Sequence, residues 1–421
     1  MLTVETLQSL AKPGENRETR QPTKSVLLVL DGLGDLPHPE YGFRTALEAA
    51  SRSHLDQLAK EGVCGLLDPV APGITPGSGP GHFALFGYDP LAVNVGRGVP
   101  EALGSGFNLQ PSDLAIRGNF CSVFRENERI ADRRAHRPSD ERCAHLCGLL
   151  QQVSLGQAAV YVQPVSEHRF LLVLRGQGFS PELTETDPQT LHVPIPEARP
   201  LQPTARLTAE VVNAFAQRAY EVLQPETVIG GNGAAYPEER YGVLLRGYGK
   251  YPSLTTLPEI YGIRCGCVAT HPMYKGVALL VGMDLLGDAH QLSEQLAVLE
   301  EYWDGYDFFF VHVKYTDKAG EDGDFLRKAA VISEVDALLP RIRALDPDVL
   351  VVTGDHSTPA LLKSHSWHPV PVVLWSRHCG RDRVEEFTEA ACAGGALGRF
   401  RGLELMPQIM ANAGRLEKFG A

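Results

Sequence analysis

The stretch Val349-Leu350-Val351-Val352-Thr353-Gly354-Asp355-His356-Ser357-Thr358-Pro359 reads as a buried strand that delivers polar groups, and it decides the fold class. A β-branched and apolar run stops at a glycine. It then presents a carboxylate, an imidazole and two hydroxyls, and His365 and His368 follow closely. A continuous apolar run suits a strand covered on both faces, as in parallel sheets. Ligands of such sheets gather at the carboxyl ends of the strands. Taken alone, Asp355 fits equally well as the cap of a following helix. The choice depends on whether other strands aim similar groups at the same place.

Two further apolar runs do so. Ser25 to Leu30 ends in Asp31-Gly32-Leu33-Gly34-Asp35, where the alternative is a turn that uses Asp and Gly for their backbone preferences. The Gly-Leu-Gly lacks the third glycine and the following helix of a dinucleotide fingerprint. Tyr306 to Val313 ends in Lys314, Asp317, Glu321 and Asp324. Asp324 is the expected cap of a helix whose stripe is Leu326, Ala329, Ile332, Val335 and Leu339, which leaves Asp317 and Glu321 to be explained otherwise. Between the first and last of these strands, Thr45-Ala-Leu-Glu48 has the form of a capping box and opens a helix expected to run to Gly62, and Val63 to Val70 reads as a strand. A Gly/Pro-rich segment follows, with Ser78 between Gly77 and Gly79 and His82 four residues on. Glycines let a phosphate approach the backbone and the serine oxygen closely. The segment is neither a Walker loop nor a nucleophile elbow.

A chain of 421 residues exceeds the size at which one core stops growing, so two domains are expected. The character changes near Val93, where Arg97, Arg133, Arg134 and Arg137 concentrate guanidiniums suited to clamping a phosphate or carboxylate. Alternating runs at Ala158 to Val162 and Phe170 to Leu174 suggest short strands, and Leu244 to Pro252, with Arg246 and Lys250, a basic loop. The expected organisation is a core of residues 1–93 and 253–421 with an inserted domain of residues 94–252.

Composition narrows the function classes. Hydrophobic residues are 43% and charged residues 21%, as in ordinary globular proteins, and the net charge of −12 argues against a broad nucleic-acid surface. The eight cysteines lack zinc-knuckle spacing and suit reduced, buried thiols. No window approaches the roughly eighteen consecutive apolar residues of a spanning helix, and the polar N-terminus lacks a signal-peptide core, so a cytoplasmic location without membrane or nucleic-acid partners is expected. No feature indicates an oligomer.

Carboxylates brought together from three strand ends would repel one another unless a cation lay among them. Oxygen ligands mixed with imidazole suit manganese, zinc, cobalt or magnesium, and two such ions about 3.5–4 Å apart serve phosphoryl transfer.

These motifs together resemble the cofactor-independent phosphoglycerate mutases, closely the archaeal-type branch, within the alkaline phosphatase superfamily. The resemblance is carried by Leu30-Asp31-Gly32, Ala71-Pro-Gly-Ile-Thr-Pro-Gly-Ser78 with Gly87-Tyr-Asp-Pro90, Gly96-Arg97-Gly98 with Glu101-Ala-Leu-Gly104, Asp132-Arg133-Arg134, Arg246 with Gly249-Lys250-Tyr-Pro252, His312-Val-Lys314 with Asp317, and Thr353-Gly-Asp-His-Ser-Thr-Pro359. It implies an alkaline-phosphatase-like α/β core, its mostly parallel sheet flanked by helices, and a smaller inserted α/β domain. It makes Ser78 the phosphoryl-accepting nucleophile and a ligand of one metal with Asp31, Asp355 and His356. Asp317, Glu321 and His365 fall at the second metal. The family pattern has histidine where this chain has Glu321, which favours a harder metal. Two divalent ions are implied, manganese foremost, with zinc, cobalt or magnesium as alternatives. Arg133, Arg134 and Arg246 would hold the glycerate carboxylate, with Lys275 near the transferred phosphate. The reaction implied is the interconversion of 3-phosphoglycerate and 2-phosphoglycerate through phosphoserine, without bisphosphoglycerate, in glycolysis and gluconeogenesis. Closure of the inserted domain about hinges near Val93 and Pro252 would keep water from the phosphoenzyme. The alternatives are a phosphatase or another phosphomutase of the superfamily, or an impaired paralogue that binds phosphoglycerate without turnover.

Overall fold

A computed structural model describes residues 3–11, 23–93, 95–156 and 158–420. The chain forms two compact units, Met1–Asn94 with Leu254–Ala421, and Val95–Ser253.

The first unit is built on an eight-stranded sheet in the order Asp284–Leu285, Cys265–Val268, Phe308–Val313, Ser25–Leu30, Val349–Thr353, Val370–Ser376, Val63–Asp68 and Gly398–Arg401. All neighbours pair in parallel except Val370–Ser376, which is antiparallel to both of its own. Alternating residues of the central strands, Val26, Leu28 and Leu30 with Phe309, Val311, Leu350 and Val352, pack against helix residues such as Ile332, Val335 and Leu339. Leu27, Val29, Phe308 and Val351 point the other way and are equally buried. Both faces are therefore covered, which is why these strands read as unbroken apolar runs.

Local expectations fare unevenly. The capping box of Thr45 and Glu48 is formed, but it starts a helix of only four residues, Ala46–Ala49, because Ala50 turns extended with ψ 151°. A separate helix, Ser53–Glu61, has its first N–H groups held by Asp336 Oδ1 at 2.9 Å from His54 and 2.7 Å from Leu55, so tertiary contact supplies the cap that its own sequence lacks. In the helix Phe325–Ala344, Leu326 is 61% exposed and Phe325 takes the core position, its ring stacked on Tyr41 at 4.1 Å. Asp324 does cap this helix, accepting from Arg327 N.

The second unit carries a five-stranded antiparallel sheet. Leu114–Phe124 is its hub, paired with Ile130–Asp132, Arg169–Arg175 and Glu239–Gly249, while Ala159–Ser166 extends the sheet beyond Arg169–Arg175. The helices Asp140–Leu150 and Arg206–Leu223 contribute Leu146, Leu150, Val212 and Phe215 to the core on one face. The segment from Leu244 to Gly249, expected as a loop, belongs to a strand: Tyr241, Val243 and Leu245 alternate into the core, a pattern hidden by its glycines and Arg246. Among the described residues, no helix is long and apolar enough to cross a membrane.

Candidate active site

Strand register assembles the centre of the site. Leu30 pairs with Val313 and Val29 with Thr353, so three adjacent parallel strands end nearly level. The residues just beyond them, Asp31, Lys314 and Asp355, therefore converge. Asp31 stands in the middle: Lys314 Nζ donates to its Oδ2 at 2.9 Å, and Tyr274 Oη donates a short hydrogen bond to the same oxygen. Lys314 also donates a short bond to Asp317, so one ammonium joins two carboxylates. His356 Nε2 lies 3.2 Å from Asp31 Oδ1 and 3.2 Å from Asp355 Oδ2.

Ser78 reaches this centre as the first residue of the helix Ser78–Leu85. Its Oγ is 3.2 Å from His356 Nε2. One turn on, Gly81 lies so close to the Asp355 carbonyl that a Cβ would sit 2.3 Å from that oxygen, and only glycine lets the helix approach this near. His82 is fully buried, with Nδ1 2.7 Å from the Ser78 carbonyl and 3.2 Å from Asp355 Oδ2. It ties the turn that carries Ser78 to the Asp355 carboxylate.

Asp31, Asp355 and His356 offer ligand atoms that all lie within 4.8 Å of one another, and so do Asp317, His356 and His365. His356 is thus shared geometrically, where the sequence resemblance gave it to the first group alone. The rings of His356 and His365 stack at 3.7 Å, and His365 Nε2 is 3.5 Å from Asp317 Oδ1. Glu321 stands apart. It lies one helical turn beyond Asp317 in Tyr315–Asp322, its side chain is 57% exposed, and its Oε1 is 3.9 Å from His365 Nε2. His368 bonds Ser366 and belongs to neither group.

Electrostatics show what the centre lacks. Burial opposes the charge on Asp31, yet Lys314, with His312 and His356, holds its carboxyl well below the usual range. Burial also disfavours the imidazolium of His356, but Asp355 and Asp31 carry its pKa up to about 9. Burial and then Asp31 raise Tyr274 well above its ordinary value, so it stays a donor. Even so, the buried atoms Asp31 Oδ1 and Asp355 Oδ2 have no hydrogen-bond donor. Buried carboxylate oxygens without donors, set beside an imidazole nitrogen, are a donor set that fits a divalent cation.

The second unit shows the opposite imbalance. Arg117 and Arg246 are cross-strand partners, and Arg169 lies on the strand on the other side of Arg117's. The Nε atoms of all three are buried without an acceptor, and Glu101, 3.6 Å from Arg117 Nε, and Asp187, 3.5 Å from Arg246 Nη1, offset their charge in part. Burial, and then Arg117, depress Arg246 to about 10. Arg133 is already committed to Asp187 in a two-pronged bond of 2.8 and 2.7 Å, and Arg134 is exposed. In the first unit, Lys275 Nζ is 3.7 Å from Asp288 Oδ1.

Similarity to known proteins places the chain. The profile described as 2,3-bisphosphoglycerate-independent phosphoglycerate mutase matches residues 59–228. A Thermus thermophilus protein named "Probable 2,3-bisphosphoglycerate-independent phosphoglycerate mutase" is 46% identical over 407 residues, 96% of this chain and 97% of its own. A Thermotoga protein of the same name is 44% identical over 405 residues, 96% and 97% of the two chains. The chain belongs to the 2,3-bisphosphoglycerate-independent phosphoglycerate mutases. Among solved structures, a protein from Pyrococcus horikoshii superposes with a TM-score of 0.80 at 29% identity over 96% of this chain and all of that one. The cofactor-independent phosphoglycerate mutase from Thermoplasma acidophilum gives 0.66 at 29% over 93% and 100%.

Within this member of the family, motif reading gave no role to Lys314 and Thr358, though both stand in its motifs, and overlooked Tyr274 beside the carboxylates and Arg117 and Arg169 in the second unit. Lys314 carried a signal in its place directly after a strand that ends in ligands. The two arginines carried a weaker one, as single cations inside strands whose other residues are buried.

Proposed function

We propose that the chain interconverts 3-phosphoglycerate and 2-phosphoglycerate by carrying the phosphoryl group on Ser78. The observation that supports this best is the position of Ser78 Oγ, buried at a helix N-terminus and 3.2 Å from His356 Nε2, beside two carboxylates whose inner oxygens lack donors. A helix N-terminus favours the anion that a phosphoserine there would become.

In this reading Asp31, Asp355, His356 and Ser78 hold one divalent cation, and Asp317 and His365 a second, with Glu321 near enough to His365 to join it. Such ions, when bound, favour the serine alkoxide and offset the charge of the phosphate oxygens. Manganese suits this oxygen-rich set, with zinc, cobalt and magnesium as competitors. Ser78 Oγ attacks phosphorus, the bond from phosphorus to the C3 oxygen breaks, and phosphoserine and glycerate result. Glycerate turns, its C2 hydroxyl attacks the phosphoserine, and the P–Oγ bond breaks to give 2-phosphoglycerate. Lys314 supplies a fixed positive charge beside Asp31 and Asp317 throughout.

Arg117, Arg169 and Arg246 suit the carboxylate of the glycerate, because guanidiniums whose Nε groups are buried without an acceptor gain most from an anion. Arg133 would act by fixing Asp187, Arg134 at the rim, and Lys275 on the phosphate. Residues 94–252 would serve as the substrate domain and the remainder as the metal-binding core. A cytoplasmic location suits eight cysteines that are all free.

The test is a coupled assay of 3-phosphoglycerate conversion without bisphosphoglycerate, run with manganese, cobalt, zinc and magnesium in turn. Conversion with at least one metal is expected, together with a fall in kcat of at least about 10³-fold in Ser78→Ala. Absence of conversion with every metal would overturn the mutase reading.

A further inference from the structure

Thr358 lies two residues beyond His356, and each of its polar groups is used by a different part of the first unit. Its N–H points to the carbonyls of Gly34 at 3.1 Å and Gly32 at 3.4 Å, in the loop that follows Asp31. Its carbonyl accepts from Lys328 Nζ at 2.8 Å. Its Oγ1 lies 2.8 Å from Asp317 Oδ1 and 2.9 Å from His356 Nδ1. The side chain sits in a seat with no slack, since a Cβ on Gly32 would come within 2.5 Å of Thr358 Oγ1 and one on Gly320 within 2.3 Å of its carbonyl oxygen.

The roles around Oγ1 follow from counting protons. A carboxylate only accepts, so the single hydroxyl proton goes to Asp317. The hydroxyl oxygen must then accept from His356 Nδ1–H. For the neutral ring that a bound cation would require, this fixes the tautomer whose Nε2 lone pair faces Ser78, Asp31 and Asp355. One oxygen therefore orients a carboxylate of one ligand group and the imidazole shared by both. Lys328 secures the arrangement from behind: it is fully buried, it also donates to the Gly34 carbonyl at 3.0 Å, and its charge is balanced by Asp35 at 3.4 Å.

We propose that Thr358 is a positioning residue common to the two candidate metal groups, so that removing its hydroxyl weakens cation binding at both. This rests on the metal reading given above. It is tested by titrating the chelator-treated full-length protein with manganese chloride in a calorimeter, comparing wild type, Thr358→Val and the pair Thr358→Ser and Thr358→Ala. The last two differ by one oxygen and both fit the seat, so they decide the matter if the valine variant does not fold. The expected result is a loss of about 10–100-fold in manganese affinity for the valine and alanine variants, with serine close to wild type. In the assay kcat at saturating manganese should fall while KM for phosphoglycerate holds, because the substrate arginines are untouched. Equal affinities for the alanine and serine variants, with wild type binding manganese, would overturn the proposal and leave the metal reading intact. A wild type that binds no manganese, cobalt or zinc would overturn both.

Discussion

The two units bury opposite deficits. In the first, carboxylate oxygens of Asp31 and Asp355 lie out of water without donors, and in the second the Nε groups of Arg117, Arg169 and Arg246 lie out of water without acceptors. Each costs free energy on the order of 1–3 kcal/mol per group, more where the group is charged, unless a counterion or ligand completes it. The titration behaviour differs as well. Asp31 is held ionised against its burial by Lys314, whereas burial and the neighbouring arginines together depress Arg246. A centre that has already recruited one ammonium and still has bare oxygens asks for more positive charge. A row of guanidiniums with only partial carboxylate cover asks for an anion. The same principle, applied with opposite signs, separates a centre suited to a cation from one suited to an anion.

The strongest way to break this comparison is to remove the charge that defines the first unit. Asp31→Asn keeps the size of the side chain but leaves Lys314 and His356 facing a neutral amide. Manganese affinity of the chelator-treated protein should fall by at least about 100-fold, and kcat by at least about 10³-fold. Calorimetry and the coupled assay read the two effects. If the variant binds manganese as wild type does, the bare oxygens are not ligands and the contrast between the units loses its meaning.

The second unit should answer a different measurement. Arg246→Met keeps the length and apolar stem of the side chain and removes the guanidinium. Loss of a charge-assisted bond of about 1.5–3 kcal/mol corresponds to a rise in KM of roughly 10–100-fold. Manganese affinity should not move. A fall in manganese affinity with KM unchanged would mean that Arg246 supports structure and does not hold substrate.

The contrast was only half visible in the sequence. Strand runs ending in Asp31, Asp317 and Asp355 announce themselves, because parallel strands covered on both faces are unbroken apolar runs and their chemistry must come at the ends. Ser78 is marked by its flanking glycines, and Gly81 beyond it lets its helix pack on Asp355. Arg117 and Arg246 meet only through the pairing of distant strands, and that register is set by core residues such as Tyr241, Val243 and Leu245. Thr358 looks like any hydroxyl after a strand until its partners Gly32, Gly34, Lys328, Asp317 and His356 are known. Leu326 and the short helix at Thr45 mislead for the same reason: the local pattern is right, but Tyr41 and Asp336, remote in sequence, decide what is buried and where the helix begins.

The smallest effect is expected at Glu321, which tests how far the acidic deficit of the first unit extends. Its place one helical turn after Asp317 puts it on the same face, yet its side chain is mostly exposed and stands 3.9 Å from His365. An exposed carboxylate is screened by water, so its share in holding a cation is small beside that of Asp317, which is buried. Glu321→His replaces an oxygen donor by a softer nitrogen. Affinity should shift toward zinc and away from magnesium by less than about tenfold, with kcat in manganese nearly unchanged. Calorimetric titrations with the two metals and the coupled assay measure this directly. A rise in kcat well beyond tenfold with every metal would instead identify the carboxylate as an impairment, placing this chain among binders of phosphoglycerate that turn over poorly.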